Sequence, residues 1–364
     1  MILHLYFARR FLLVFLGLFG VFFLFLALLD VVDLLRRFEG DLAPGALFTL
    51  TLLKAPEGLY QMLPLVMILS SIAVFLALAR SSELLIARAA GRSGLVALLG
   101  PALVSLLVGA VAVAAMNPIV AGTSKRYSDL VERYRNGGTA TFSIGAEGLW
   151  LRQGDDTGQT VIHASRATPD ATRLFEVTFV EYGFSGGPTR RIEAEEAWLE
   201  DGAWQLSNTK SWPLGGGGNA EGAAEEAPRM ELASTLTQDS IRDRFGRPSA
   251  VSIWALPAFI SELEQAGFSA RRYAVWLQLE LARPIFLLAL TLVGAGLTMR
   301  HTRLGRTGIS VLTAVLLGFG LYYVRNFAQI LGENGQIDPY TAAWIPPVAA
   351  LMIAFGLILH REDG

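Results

Sequence analysis

The residues able to do chemistry are few, and their types suit ion pairing rather than bond-making. A charged segment, Arg80-Ser81-Ser82-Glu83-Leu84-Leu85-Ile86-Ala87-Arg88-Ala89-Ala90-Gly91-Arg92-Ser93, is wedged between two runs, 58–79 and 94–124, that contain no Asp, Glu, Lys or Arg. Arg36 and Arg37 follow a long apolar run, Glu280 and Arg283 stand three residues apart on one helical face, and Arg325 sits beside Asn326 and Gln329. Glu280 and Arg283 are expected to pair with each other, and Arg325 to snorkel. Metal and covalent chemistry find little material. Cysteine is absent, and the four histidines, at 4, 163, 301 and 360, show no metal-binding spacing. There is no G-x-x-x-x-G-K-[ST] loop, Gly305-Arg-Thr-Gly308 lacking the lysine, and no G-x-S-x-G or H-E-x-x-H. No cofactor, catalytic residue or metal site is expected. A transport subunit that draws energy from a partner fits this inventory better than an enzyme.

The elements that must position these residues are membrane spans. A mean hydropathy of +0.44, with 52% hydrophobic and only 17% charged residues over 364 positions, describes an integral membrane protein. A net charge of −2 gives no reason to expect nucleic acid. Spans are predicted at Phe11–Leu29, Leu59–Ala79, Gly94–Pro118, Leu277–Met299, Ile309–Val324 and Ala342–Leu359. With the N-terminus inside, the cytoplasmic short loops hold nine Lys or Arg and the opposite ones three, Arg36, Arg37 and Lys54. That count favours both termini in the cytoplasm and the region 120–270 outside, the periplasm of a two-membrane bacterium. The segment 80–93 then reads as a surface helix at the cytoplasmic face. Ser81 or Ser82 caps it, Glu83 suits its positive end, Leu84, Leu85 and Ala89 form an apolar side, and Gly91 stops it. It serves either as a handle for a soluble partner or as a connector held by its arginines. Arg36 and Arg37 snorkel to lipid headgroups on local grounds alone.

Residues 140–250 change to β patterns. Thr141–Ile144, Gly148–Leu151, Thr160–His163 and Phe175–Phe179 read as strands, the last with strict alternation. A bulge near Val180-Glu181 would keep Tyr182 and Phe184 facing the same interior. Asp201-Gly202 reads as a hairpin turn that sets Leu199 opposite Trp204 and Ala197 opposite Leu206. Gly215–Pro228 is expected to lie outside the fold as a flexible insert. The region 137–250 holds ten Lys or Arg against seventeen Asp or Glu. Such a domain would hold an amphipathic ligand by its acyl part, along an apolar lining of Phe142, Phe175, Val177, Phe179 and Trp204. Those aromatics, Trp198 included, equally serve as an ordinary core. Leu256–Gln265 is expected to be an amphipathic helix ended by Gly267. The organisation expected is spans one to three in 1–135, a β domain in 136–252, and spans four to six in 253–364.

Three spans, a β insertion and three spans, with Arg80-x-x-Glu83-Leu84…Ala90-Gly91-x-Ser93, Gly148-Leu-Trp150, Gly267-x-x-x-x-Arg272-Tyr273 and Gly332-Glu-x-Gly335…Ala343-Trp344-Ile-Pro346, resemble the LptF/LptG family of lipopolysaccharide-export permeases. The last motif is more similar to the LptG branch. The resemblance implies an α-helical inner-membrane protein of six transmembrane helices with an inserted periplasmic, β-jellyroll-like domain. It implies a heterodimer with an LptF-like permease on an LptB-like ATPase dimer, an LptC-like membrane-anchored partner, an LptA-like bridge, and lipopolysaccharide as cargo. Carried over by residue, Arg80, Glu83, Leu84, Arg88 and Gly91 belong to a helix that couples to the ATPase, with Glu83 meeting a basic residue there. Arg36, Arg37, Lys125 and Arg126 would face lipid phosphates. One departure stands out: Asp30 occupies a place where better-known LptG proteins carry lysine.

Overall fold

The computed structural model describes residues 2–38, 43–81, 83, 94–136, 142–145, 148–155, 158–168, 173–183, 187–200, 202–214, 221–234, 248–265, 269–299 and 307–362. Apolar runs this long can satisfy their backbone in lipid only as helices, and six helices are long and apolar enough to cross a membrane. They are α1 (Ile2–Arg37), α2 (Pro44–Arg80), α3 (Gly94–Val111) continuing through a π turn at Ala112–Met116 into α4 (Asn117–Asn136), α6 (Arg271–Thr298), α7 (Thr307–Glu333) and α8 (Pro339–Glu362). The short helix α5 spans Leu256–Gln265, as its amphipathic pattern predicts. The chain divides into two compact units. One comprises Met1–Tyr127, Val251–Trp254 and Arg271–Gly364; the other comprises Ser128–Ala250 and Ala255–Ala270.

In the first unit α2 begins fifteen residues before the expected Leu59, with Pro44 in its first turn, where a missing N–H costs nothing. Lys54 and Glu57 hide this extension in a hydropathy reading, yet both are paired across helices. Lys54 Nζ lies 2.8 Å from Asp30 Oδ1, and Ser124 Oγ donates to Glu57 at 2.7 Å. The centre of the bundle is α6, the most buried span, packed against α2, α3, α7 and α8. Phe7, Phe11 and Phe15 of α1 join Tyr60, Met67 and Phe75 of α2 and Phe286 of α6 in one apolar core. The π turn displaces carbonyls from the regular ladder. Ala114 O there accepts from Trp254 Nε1 at 3.2 Å, and Asn117 Oδ1 accepts the Ile253 N–H at 2.8 Å.

The family-like motifs around α7 and α8 have a mechanical basis. Gly335 adopts φ +83°, which favours glycine, in the turn between the two helices. A Cβ at Gly332 would lie 2.7 Å from Ala342 Cβ, so the helices meet only because it is absent. Arg271 ties the turn down, Nε to Gly332 O at 2.9 Å and Nη2 to Ile337 O at 2.8 Å, and Trp344 Nε1 donates to Gln278 at 3.1 Å.

The second unit holds a seven-stranded antiparallel sheet in sequential order. Its strands are β1 (Phe142–Gly145), β2 (Gly148–Asp155), β3 (Gly158–Ala167), β4 (Arg173–Gly183), β5 (Pro188–Glu200), β6 (Ala203–Pro213) and β7 (Glu225–Ala233). Leu199 pairs with Trp204 and Ala197 with Leu206, as the hairpin predicts, with Gly202 at φ +78° in the turn. The sheet curls: Gln153 of β2 bonds to the end of β7 at Ala233 and Ser234. Leu149, Leu151, Ile162, Val177, Phe179, Ile192, Trp204 and Leu206 fill its buried face.

Three expectations need correction here. Glu225–Ala233 is strand β7, paired along β6, so the polar insert left outside the fold shrinks at its C-terminal end. The alternation of β4 breaks at Glu176, whose φ of +52° changes the phase. Leu174 therefore takes the buried place expected of Phe175, and Phe175 lies half-buried with the Arg166 guanidinium 5.6 Å from its ring centroid. The bulge does fall at Glu181/Tyr182, but the extra residue is Thr189 on β5. β4 keeps its own alternation past that point, and Tyr182 faces out instead of in. Phe184 lies outside the described residues.

Candidate functional site

Glu83 lies just past the end of α2, whose last residue, Arg80, is exposed. Its carboxylate meets the N-terminal end of α1. Arg10 Nη1 donates to Oε1 at 2.7 Å, Tyr6 Oη donates to Oε2 at 3.0 Å, and Ser81 Oγ donates to Oε1 at 2.7 Å. Arg10 also donates to Tyr6 Oη at 3.0 Å. Burial pushes the Glu83 carboxyl up, but the hydrogen bonds from Arg10, Ser81 and Tyr6 and the Arg10 charge outweigh it and hold the carboxyl below its ordinary value. Leu84, Arg88 and Gly91 lie outside the described residues. Sequence reasoning missed Tyr6 and Arg10; the signal was their i,i+4 spacing and the lone acidic residue, Glu83, of a segment at the same membrane face.

At the far end of α1, Arg36 and Arg37 are exposed in the last helical turn, where cations suit the helix dipole. Arg37 Nη2 lies 3.5 Å from Asp33 Oδ2, whereas Arg36 has no ion pair among the described residues. Asp30 is neutralised from the next helix: Lys54 Nζ sits 2.8 Å from its Oδ1 and 3.3 Å from Asp33 Oδ2. Lys125 and Arg126 are exposed on α4. The structure does not bring all four basic candidates into one cluster of contacts.

A second charged group is buried within the bundle. Glu280 accepts from Arg283 Nε at 3.1 Å and Nη2 at 2.5 Å, and from the Tyr60 hydroxyl. The Arg283 guanidinium stacks 4.0 Å from the Tyr60 ring centroid. The expected ion pair is present, but Arg325 does not snorkel. It is 6% exposed, lies 5.5 Å from the Phe286 ring centroid, and has a buried Nη2 without a partner. Its position on the side of α7 turned toward α6, opposite Tyr323 and Phe327, prevents escape to the surface. This cluster is a polar joint between α2, α6 and α7. Among the described residues no group of His, Cys, Asp or Glu could hold a metal ion.

In the sheet, Val177, Phe179 and Trp204 are fully enclosed, with Phe179 and Trp204 rings in an edge contact at 6.1 Å. Phe142 pairs with Leu151 in the ladder, and its side chain lies outside what the structure describes. The Trp204 indole N–H is buried without a partner. The curl is thus a closed apolar interior with a polar seam at Gln153.

Residues 5–360 match the family model described as Lipopolysaccharide export system permease LptF/LptG. No curated protein matches the chain.

Proposed function

The chain belongs to the LptF/LptG family of lipopolysaccharide export permeases, a multi-pass inner-membrane protein and component of a lipopolysaccharide export complex, and on that premise we propose that it is the LptG-like half of an ATP-driven extractor. Its cargo is pulled from the outer leaflet of the inner membrane and passed to the β domain. A lipid with several acyl chains loses about 0.8 kcal/mol per buried CH₂ on leaving the bilayer, so extraction costs tens of kcal/mol unless another apolar surface replaces the membrane. The cavity between this chain and an LptF-like permease supplies that surface. Support comes from α1 and α7, which leave more apolar surface bare than the other spans.

In this mechanism Arg36 and Arg37, with Lys125 and Arg126, select phosphorylated headgroups by charge-assisted hydrogen bonds. Segment 80–93 docks on an LptB-like ATPase through Arg80, Glu83, Leu84, Arg88 and Gly91. ATP-driven closure collapses the cavity and drives the lipid toward the β domain, where Phe142, Phe175, Val177, Phe179 and Trp204 are the proposed apolar lining. LptC-like and LptA-like β domains continue the path. Both termini and segment 80–93 are cytoplasmic, and the β domain is periplasmic.

The observation that carries this reading is the position of Glu83: an acidic residue on a charged connection between two spans, linked to the first helix of the bundle. Purification of the tagged chain from its native membrane, with mass spectrometry of proteins and lipid, tests it. An ATPase, a second permease and lipopolysaccharide are expected together, and the second permease's sequence distinguishes an LptG-like from an LptF-like role. A chain that emerges alone with bulk phospholipid overturns the reading.

A further inference from the structure

Tyr6 and Arg10 lie one turn apart on α1 and converge on a single carboxylate 77 and 73 residues away in sequence. After Phe7, Phe11 and Phe15, the next buried residue of α1 is Leu34. At that second end Asp30 and Asp33 are held by Lys54 of α2. The helix is therefore fastened by ion pairs near both ends, and between them only partly buried side chains such as Leu18, Phe19 and Phe22 pack on the core, which suits an element that shifts as a rigid rod. We propose that Arg10 and Tyr6 are positioning residues that hold Glu83 and fasten the N-terminal end of α1 to the segment 80–93, so that α1 moves with this segment when the ATPase closes. The inference rests on the reading that 80–93 docks the ATPase.

The chemistry permits both attachments at once. A carboxylate offers about four lone-pair sites, and Glu83 uses three of them for Arg10, Ser81 and Tyr6. A cation from a partner can join without displacing Arg10. Arg10 makes its closest charged contact with Glu83, at 2.7 Å. The pair thus joins Glu83 directly to α1, where Arg36 and Arg37 stand at the opposite end.

The test uses the whole complex in lipid nanodiscs. The chain has no cysteine, so Val21→Cys, at an exposed point midway along α1, takes one environment-sensitive fluorophore before assembly. Arg10→Gln, Arg10→Lys, Tyr6→Phe and Glu83→Gln are compared for ATPase retained, lipopolysaccharide-stimulated hydrolysis, and the fluorescence change on vanadate trapping. Arg10→Gln is expected to retain the ATPase yet lose the stimulation several-fold together with the fluorescence change, while Arg10→Lys recovers most of both and Tyr6→Phe falls between them. If Arg10→Gln stays fully coupled and keeps the fluorescence change while Glu83→Gln sheds the ATPase, Glu83 serves the partner alone and the inference is wrong, though the docking reading stands. If the parent chain retains no ATPase, the docking reading fails and the inference with it.

Discussion

Gln153 and Ser234 close the β domain on itself: the Ser234 hydroxyl donates to Gln153 Oε1 at 2.8 Å, while Gln153 Nε2 donates to the neighbouring Ala233 carbonyl at 3.2 Å. In a flat sheet β2 and β7 would stand about 24 Å apart, five strand spacings of about 4.8 Å. The bond therefore requires the curl that encloses Val177, Phe179 and Trp204. Gln153→Leu removes both hydrogen bonds of this seam and is expected to cost about 1–3 kcal/mol locally. Hydrogen exchange on the full chain in detergent should show faster exchange over 225–234 with the transmembrane helices unchanged. Unchanged exchange there would mean that strand pairing with β6 alone holds β7.

Arg36 and Arg37 make separable predictions because, among the described residues, Arg37 forms an ion pair, with Asp33, and Arg36 forms none. An exposed i,i+4 pair is worth only about 0.3–0.5 kcal/mol, enough to bias a side chain but not to hold it. Arg36→Ala is expected to reduce lipopolysaccharide retained on purification more than Arg37→Ala, and Asp33→Ala to raise it. Mass spectrometry of bound lipid reads all three, and equal losses for the two arginines would contradict the distinction.

Glu280 balances two buried arginines, Arg283 in contact and Arg325 nearby. Removing the anion from such a site typically costs about 3–5 kcal/mol, because the cation left behind is unpaired. Glu280→Ala should lower the thermal midpoint in detergent far more than Tyr60→Phe, which deletes one hydrogen bond worth about 1 kcal/mol. A paired substitution, Glu280→Leu with Arg283→Leu, should recover part of the loss. Equal midpoints for Glu280→Ala and Tyr60→Phe would show that the carboxylate is not the keystone of this joint.

Gly100 sets the crossing of α1 on α3. A Cβ there would lie 2.4 Å from the His4 carbonyl oxygen and 3.0 Å from the Ala8 nitrogen, both rigid backbone atoms. Gly100→Ala is expected to displace α1 and lower yield and thermal stability. Gly20→Ala, with nothing within 4 Å of the added carbon, should be neutral or stabilising by about 0.5–1 kcal/mol. Similar behaviour of the two variants would remove the close approach as the reason for glycine at 100.

Glu83 supplies a pH prediction. Its folded-state pKa is depressed, so the stability it contributes is present above the ordinary carboxylate range and is lost as pH falls through the depressed value. From about pH 8 to about pH 5 both folded and unfolded forms remain largely ionised. Parent and Glu83→Gln complexes should therefore differ in stimulated hydrolysis by a nearly constant factor across that window. A difference that disappears already near pH 6 would show that the carboxylate is not held by Arg10 as the geometry indicates.

Much of this protein follows from composition and local pattern alone. Uninterrupted apolar runs of span length have no alternative to helix in lipid, so the six spans, the β insertion between the third and fourth, the Glu280–Arg283 pair and the Leu199–Trp204 register are legible without coordinates. Each depends on neighbours in sequence or on the solvent that a segment can tolerate. What only tertiary structure decided are the partners of isolated charges. Lys54 and Glu57 read as the edge of a loop until Asp30 and Ser124, on other helices, pair with them, the first by charge and the second by a hydrogen bond. Arg325 reads as snorkelling until its face of α7 proves buried. Phe175 and Tyr182 read as interior until one left-handed residue and a bulge on the opposite strand set their directions. The clamp of Tyr6 and Arg10 on Glu83 is of the same kind: hydropathy records how costly a charge is in lipid, but only the packing of distant helices shows what cancels that cost.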